Sequence, residues 1–165
     1  MVKAAVFDTG PFIHVNEIGS LKILRVIKKI KITLQVAEEL RELKNELNIY
    51  RHIEVKKLFP QSKDLARYLI EKFDLDLGEA TSIALCKQEK ISLFFTDDLE
   101  AREVAKVFGF EPHGTLAIIL RALRERYISK KEASDLVKKI HRQSSLFITS
   151  DLIRWIQHEI EKYRG

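Results

Sequence analysis

The sequence predicts an α/β protein built on a central parallel sheet with helices on both faces. Short apolar runs alternate along the chain with longer amphipathic stretches of helical spacing, which is the rhythm of parallel βαβ units. Two of these runs, Val2–Phe7 and Leu93–Phe95, stop directly on polar residues, Asp8-Thr9 in one case and Thr96-Asp97-Asp98 in the other. Open parallel sheets hold their ligands at such strand ends. The chain of 165 residues is 45% hydrophobic, which suits one domain with a substantial core.

The elements follow in order. Val2–Phe7 is the first strand, apolar except for Lys3, and Gly10-Pro11 punctuates its end, with Pro11 suited to the first turn of a short helix. A helix is expected over Ile18–Ile27, capped by Ser20, with Leu21, Leu24 and Ile27 on one face. Ile30–Leu34 alternates as a second strand. Val36–Leu47 reads as one helix through Val36, Leu40, Leu43 and Leu47. Ile53–Leu58 is a short strand or edge, and Asp64–Phe73 a helix. Leu75 to Gly78 form a loop into a helix over Glu79–Lys90, whose small residues Ala80 and Ala84 allow close approach to the sheet. Beyond Leu93–Phe95 come a helix over Leu99–Val107, a loop or strand end at Gly109 to Pro112, and a helix over Leu116–Arg126. Ser129 and Glu132 have capping-box spacing at the head of a helix running to Ile140. Ser150 or Thr149 caps a last helix, Asp151–Tyr163. No interdomain linker or internal repeat interrupts this order. One domain over residues 1–165 is expected, with 127–165 as a helical C-terminal extension.

Composition narrows the function classes. No apolar run reaches membrane-span length and no signal-peptide pattern opens the chain, so a cytoplasmic protein without a membrane partner is expected. The single cysteine, Cys86, lies in a helical apolar pattern and is expected as a buried thiol. The histidines show no zinc-finger spacing. The net charge of +5 is unevenly placed: residues 1–120 hold 18 basic and 18 acidic residues, whereas 121–165 hold 11 and 6. A basic segment beside an acidic cluster suits an enzyme acting on nucleic acid, although a solvated lysine-rich surface would give the same count.

The acids carry the chemical argument. Asp8, Glu39, Glu79, Asp97 and Asp98 all fall at strand ends or helix starts. Each also has a local reading as a cap, a turn residue or a dipole-favoured acid. Right-handed crossovers bring strand C-termini to one edge, where Asp8 and the Asp97-Asp98 pair would meet, with Glu39 and Glu79 facing the same cleft. Such carboxylates repel and raise one another's pKa values, and a divalent cation removes the conflict. Oxygen-only ligands suit Mg²⁺ or Mn²⁺ better than zinc, and carboxylate-held ions suit phosphodiester hydrolysis.

In this order the motifs resemble the PIN domain, the fold of metal-dependent ribonucleases that includes the VapC-type toxins. Val6-Phe7-Asp8-Thr9 matches its strand-then-Asp motif, and Glu39 before Leu40 its acid early in a helix. Gly78-Glu79-Ala80 matches the acid opening an alanine-rich helix, and Thr96-Asp97-Asp98 the Thr-x-Asp after a strand. The Gly-Glu-Ala and Thr-Asp-Asp sequences, with Ala101-Arg102 and Gly114-Thr115-Leu116 downstream, are similar to one PIN subgroup. The resemblance implies a three-layer α/β/α fold and an endoribonuclease dependent on Mg²⁺ or Mn²⁺. It implies Asp8, Glu39, Glu79 and Asp98 as catalytic metal ligands and Asp97 as an auxiliary acid of the same metal site. It further implies RNA as substrate, a homodimer, and a toxin role with a small antitoxin protein covering the cleft. An RNA-maturation or quality-control nuclease and an inactive RNA-binding module share these motifs. An aspartyl phosphatase is disfavoured, because that chemistry wants a second Asp two residues after Asp8 and position 10 is Gly.

Overall fold

A computed structural model describes residues 3–165 of the chain. The chain runs β1 (Ala5–Phe7), α1 (Thr9–Glu17), a 3-10 helix (Leu21–Val26), β2 (Ile30–Thr33), α2 (Leu34–Glu39), a 3-10 turn (Arg41–Leu43), α3 (Lys44–Leu47) and β3 (Ile53–Lys56). It continues through α4 (Pro60–Phe73), α5 (Leu77–Glu89), β4 (Leu93–Phe95), α6 (Leu99–Val107), β5 (Glu111–His113), α7 (Thr115–Arg124), α8 (Lys130–Gln143) and α9 (Ser150–Lys162). The strands pair in the order β3-β2-β1-β4-β5, every pair parallel. Successive strands step from β1 outward through β2 to β3, then return to the other side of β1 as β4 and β5. The strand order therefore reverses between β1 and β4, and the crevice outside their C-terminal ends is the ligand position of such sheets.

Strand pleating divides the core in two. Ala5 and Phe7 of β1 and Phe95 of β4 point into one apolar cluster, with Phe12 and Val15 of α1 and Ile118, Ile119 and Ala122 of α7. Val6 and Phe94, one residue out of phase, point into the other, with Leu69 of α4, Ile83 and Leu85 of α5 and Ala101 and Ala105 of α6. The result is a three-layer α/β/α sandwich. The Phe7 ring lies 4.6 Å from that of Phe95 and 5.3 Å from that of Phe12, which locks the two strand ends beside the crevice. The helical segment after residue 126 joins the first cluster through Val137, Ile140, Ile156 and Ile160, so it forms part of the main core. Cys86 is buried and free, and burial pushes its thiol up. Among the described residues no helix is long and apolar enough to cross a membrane.

Several expected boundaries move. The first strand begins at Ala5, and Val2 lies outside the described residues. The helix expected over Ile18–Ile27 is a 3-10 helix, Leu21–Val26, and the Ser20 hydroxyl makes no capping bond. β-branched Ile23, Val26 and Ile27 weaken an α-helix there, and all three are buried. The helix expected over Val36–Leu47 breaks into α2, a 3-10 turn and α3. Leu40 is buried and Leu43 partly so, and both pack on the same apolar cluster despite the break. The helix expected from Asp64 starts at Pro60, which occupies its first turn.

Candidate active site

The site grows from the end of β1. Asp8 follows the buried Phe7, and its backbone N–H donates to the Phe95 carbonyl of β4 at 2.9 Å. The Thr96 hydroxyl, beyond the end of β4, donates to Asp8 Oδ2 at 3.0 Å. Adjacent parallel strands thus deliver one carboxylate and the hydroxyl that orients it. Asp8 is only 8% exposed, and burial raises its pKa from 3.8 to about 6, with the Asp76 and Glu39 charges adding to the rise.

The N-terminus of α5 supplies the next acids. Asp76 caps it, accepting from the Glu79 N–H at 2.9 Å, while Glu79 Oε2 accepts from the Asp76 N–H at 3.1 Å. This is a complete capping box, so the helix-cap reading of Glu79 holds alongside any chemical one. Half-buried Glu79 has its pKa raised from 4.5 to about 7, first by burial and then by the charges of Asp76, Asp98 and Asp8. Glu39, expected early in a helix, instead closes α2, because that helix starts at Leu34; it accepts from the Thr9 hydroxyl at 2.5 Å and from Gln35 at 3.1 Å. Its carboxylate lies against Gly78: a Cβ there would come within 2.9 Å of Glu39 Oε1, so glycine admits Glu39 to the helix start.

The paired acids after β4 separate in role. Asp98 caps α6 through Oδ1, accepting from the Ala101 N–H at 2.7 Å. Asp97 turns toward the opposite wall. It accepts from His14 Nδ1 at 2.7 Å and from the Thr115 N–H and hydroxyl at 2.7 and 2.5 Å, with Arg102 at 3.8 Å. Burial works to raise the Asp97 pKa, but the His14 and Thr115 hydrogen bonds outweigh it and hold the carboxyl below the usual range. Arg102 also donates to the Thr96 carbonyl at 3.0 Å. A Cβ at position 114 would collide with its guanidinium and with Asp97, so Gly114 is the residue that lets this bridge form.

The charges of Asp76, Asp98 and Asp8 therefore all act on Glu79, and those of Asp76 and Glu39 act on Asp8. Asp97 belongs to a supporting network behind them. Asp76 and His14 are participants that the motif resemblance did not single out, and Thr9, Arg102 and Thr115, present in the motifs, gain their roles from the structure. The Asp76-x-x-Glu79 spacing was a readable signal for the first of them, since it is a capping box ahead of an alanine-rich helix. Among the described residues no three acids, histidines or cysteines already converge in ligating geometry. Glu79 and Asp98 each keep one oxygen on which no hydrogen bond from a described residue falls. An all-carboxylate oxygen set fits Mg²⁺ or Mn²⁺.

The raised Asp8 pKa has a sign that can be checked in metal-free buffer. The folded state holds this proton more tightly than the unfolded chain, so its contribution is full below pH 3.8 and lost as pH climbs through about 6. Asp8→Asn removes the titration, and the amide oxygen can still accept from Thr96. The melting temperature of Asp8→Asn relative to wild type should therefore increase from pH 4 to pH 7. The gain at neutral pH is about 3 kcal/mol at most, from roughly 1.4 kcal/mol per pH unit. Thermal scans in EDTA across that range measure it, and a pH-independent difference would show that Asp8 does not titrate in this way.

A model of a family described as a PIN domain matches residues 4–162. No curated protein and no solved structure matches the chain.

Proposed function

The chain belongs to the PIN-domain family, a fold of the nuclease type, and on that premise we propose that it is an endoribonuclease dependent on Mg²⁺ or Mn²⁺. The observation that supports this best is the gathering of acids where the strand order reverses, with the charges of Asp76, Asp98 and Asp8 all acting on Glu79 and those of Asp76 and Glu39 on Asp8. Asp8, Glu79 and Asp98 would hold the ion, with Glu39 beside them, and the ion supplies neutralisation of the phosphate charge and activation of water.

The chain's own residues prepare that chemistry. The Thr96 hydroxyl fixes one oxygen of Asp8. The α5 cap fixes one oxygen of Glu79, and the α6 cap one oxygen of Asp98. Thr9 and Gln35 hold Glu39 over Gly78. Asp97 is a positioning residue, tying α1, α6 and α7 around the crevice through His14, Arg102 and Thr115. Preorganised ligands and dipoles of this kind need little rearrangement as charge develops on the scissile phosphate. In the same proposal the protein works in the cytoplasm as a homodimeric toxin with a small antitoxin protein as its partner, a role carried by the motif resemblance alone.

The test is cleavage of a mixed RNA pool with Mn²⁺ or Mg²⁺, with and without EDTA. RNA should be hydrolysed only with free divalent metal, and activity should return when metal is restored. Chelator-resistant cleavage, or no cleavage under any metal condition, would overturn the assignment.

A further inference from the structure

A groove of about 540 Å³ runs away from the acid cluster between α6, α7 and α9. Asp97 and Arg102 line both it and the site. Its walls add Arg121 and Arg124 from α7, Phe147 from the segment before α9, and Trp155 from α9 itself. Phe147 is 89% exposed and Trp155 55%, although both are large aromatics one turn or less from buried neighbours, Ile148 and Ile156. Large apolar side chains left at a groove mouth mark a contact surface. This wall also lies in the part of the chain that carries the basic excess, 11 basic residues against 6 acidic in 121–165.

We propose that this groove seats unpaired nucleotides of the RNA next to the scissile bond, with bases stacked on Trp155 and Phe147 and phosphates met by Arg121 and Arg124. The proposal rests on the ribonuclease reading for its direction. A carboxylate cluster repels a polyanion, so the strand must gain its affinity from beside the cluster, and the cationic wall is continuous with it through Arg102. Exposed aromatic faces paired with a cationic track bind single strands irrespective of sequence, because every base offers a stacking face. A duplex keeps its bases stacked on one another and gains nothing from Trp155 or Phe147. A preference for single-stranded substrate follows.

Trp155 is the only tryptophan of the chain, so its emission reports on this groove alone. The experiment titrates Asp8→Asn protein in EDTA with a short single-stranded RNA, and with the same sequence as a duplex. Single-stranded RNA should quench Trp155 saturably and the duplex should not. Phe147→Leu should weaken binding roughly 5- to 100-fold. Arg121→Gln with Arg124→Gln should lower the salt slope by about 0.7 for each of the two arginines that meets a phosphate. Metal-dependent cleavage by wild type without any quenching would overturn the groove and leave the ribonuclease reading standing. Quenching with no cleavage by wild type would do the reverse. Sedimentation as a dimer that Trp155→Leu dissociates, or quenching by an acidic peptide but not by RNA, would also overturn the proposal, because the groove would then be a protein interface.

Discussion

Asp8→Asn, Glu79→Gln and Asp98→Asn should each slow RNA hydrolysis by roughly 10²- to 10³-fold or more at saturating Mn²⁺. Each substitution keeps side-chain size and removes one negative charge from the set that would hold the ion. None should unfold the protein. The amide at position 8 still accepts from Thr96, and the amide oxygen at position 98 can still accept from Ala101. Glu38→Gln is the control. Glu38 precedes Glu39 in sequence but is exposed and paired with Arg41, and its loss should leave the rate unchanged. Initial rates for the four variants, with thermal scans to confirm folding, decide the matter. Full activity in Asp8→Asn would show that the chemistry does not run through this cluster.

The centre of the parallel sheet was legible because β1 and β4 are short apolar runs ended by residues that cannot continue a buried strand, whereas the edge strand β5, Glu-Pro-His, has no such run. Leu93–Phe95 before Thr96-Asp97-Asp98 shows this best, since both edges of that run are sharp. Less was legible where the chain is locally ambivalent. Val36 to Leu47 has an unbroken helical stripe, yet tertiary packing splits it, because Leu40 and Leu47 are drawn into the core while Glu39 must reach Thr9 and Gly78. Asp76 looked like a loop residue, because an N-cap and a loop share the same composition. The division between Asp97 and Asp98 was implied by the motif resemblance alone, not by the local sequence. It depends on His14, Arg102 and Thr115, which come from three different helices and meet only after the sheet has formed.

That division sets the second large effect, which is on stability. Asp97→Ala should cost about 3–5 kcal/mol, the range for breaking a buried charged network by deleting one partner. The Thr115 N–H and hydroxyl and the His14 ring nitrogen all lose their acceptor in a place where Thr115 is fully buried. Each buried donor left unsatisfied adds its desolvation penalty. Arg102 loses its counter-charge while still held by the Thr96 carbonyl. For a chain of this length roughly 2–4 °C follows each kcal/mol, so the metal-free melting temperature should fall by about 10 °C. Asp97→Asn should fall less, because one amide oxygen still accepts from Thr115 although the amide nitrogen cannot. The same scans with Mn²⁺ separate support from ligation, since an ion bound only to the native state raises stability by mass action. Asp97→Asn should keep most of the Mn²⁺-induced rise seen in wild type, whereas Asp98→Asn should lose it. A wild-type melting temperature in Asp97→Ala would mean that the network does not hold the crevice together. Loss of the Mn²⁺ response in Asp97→Asn, with apo stability intact, would make Asp97 a direct ligand.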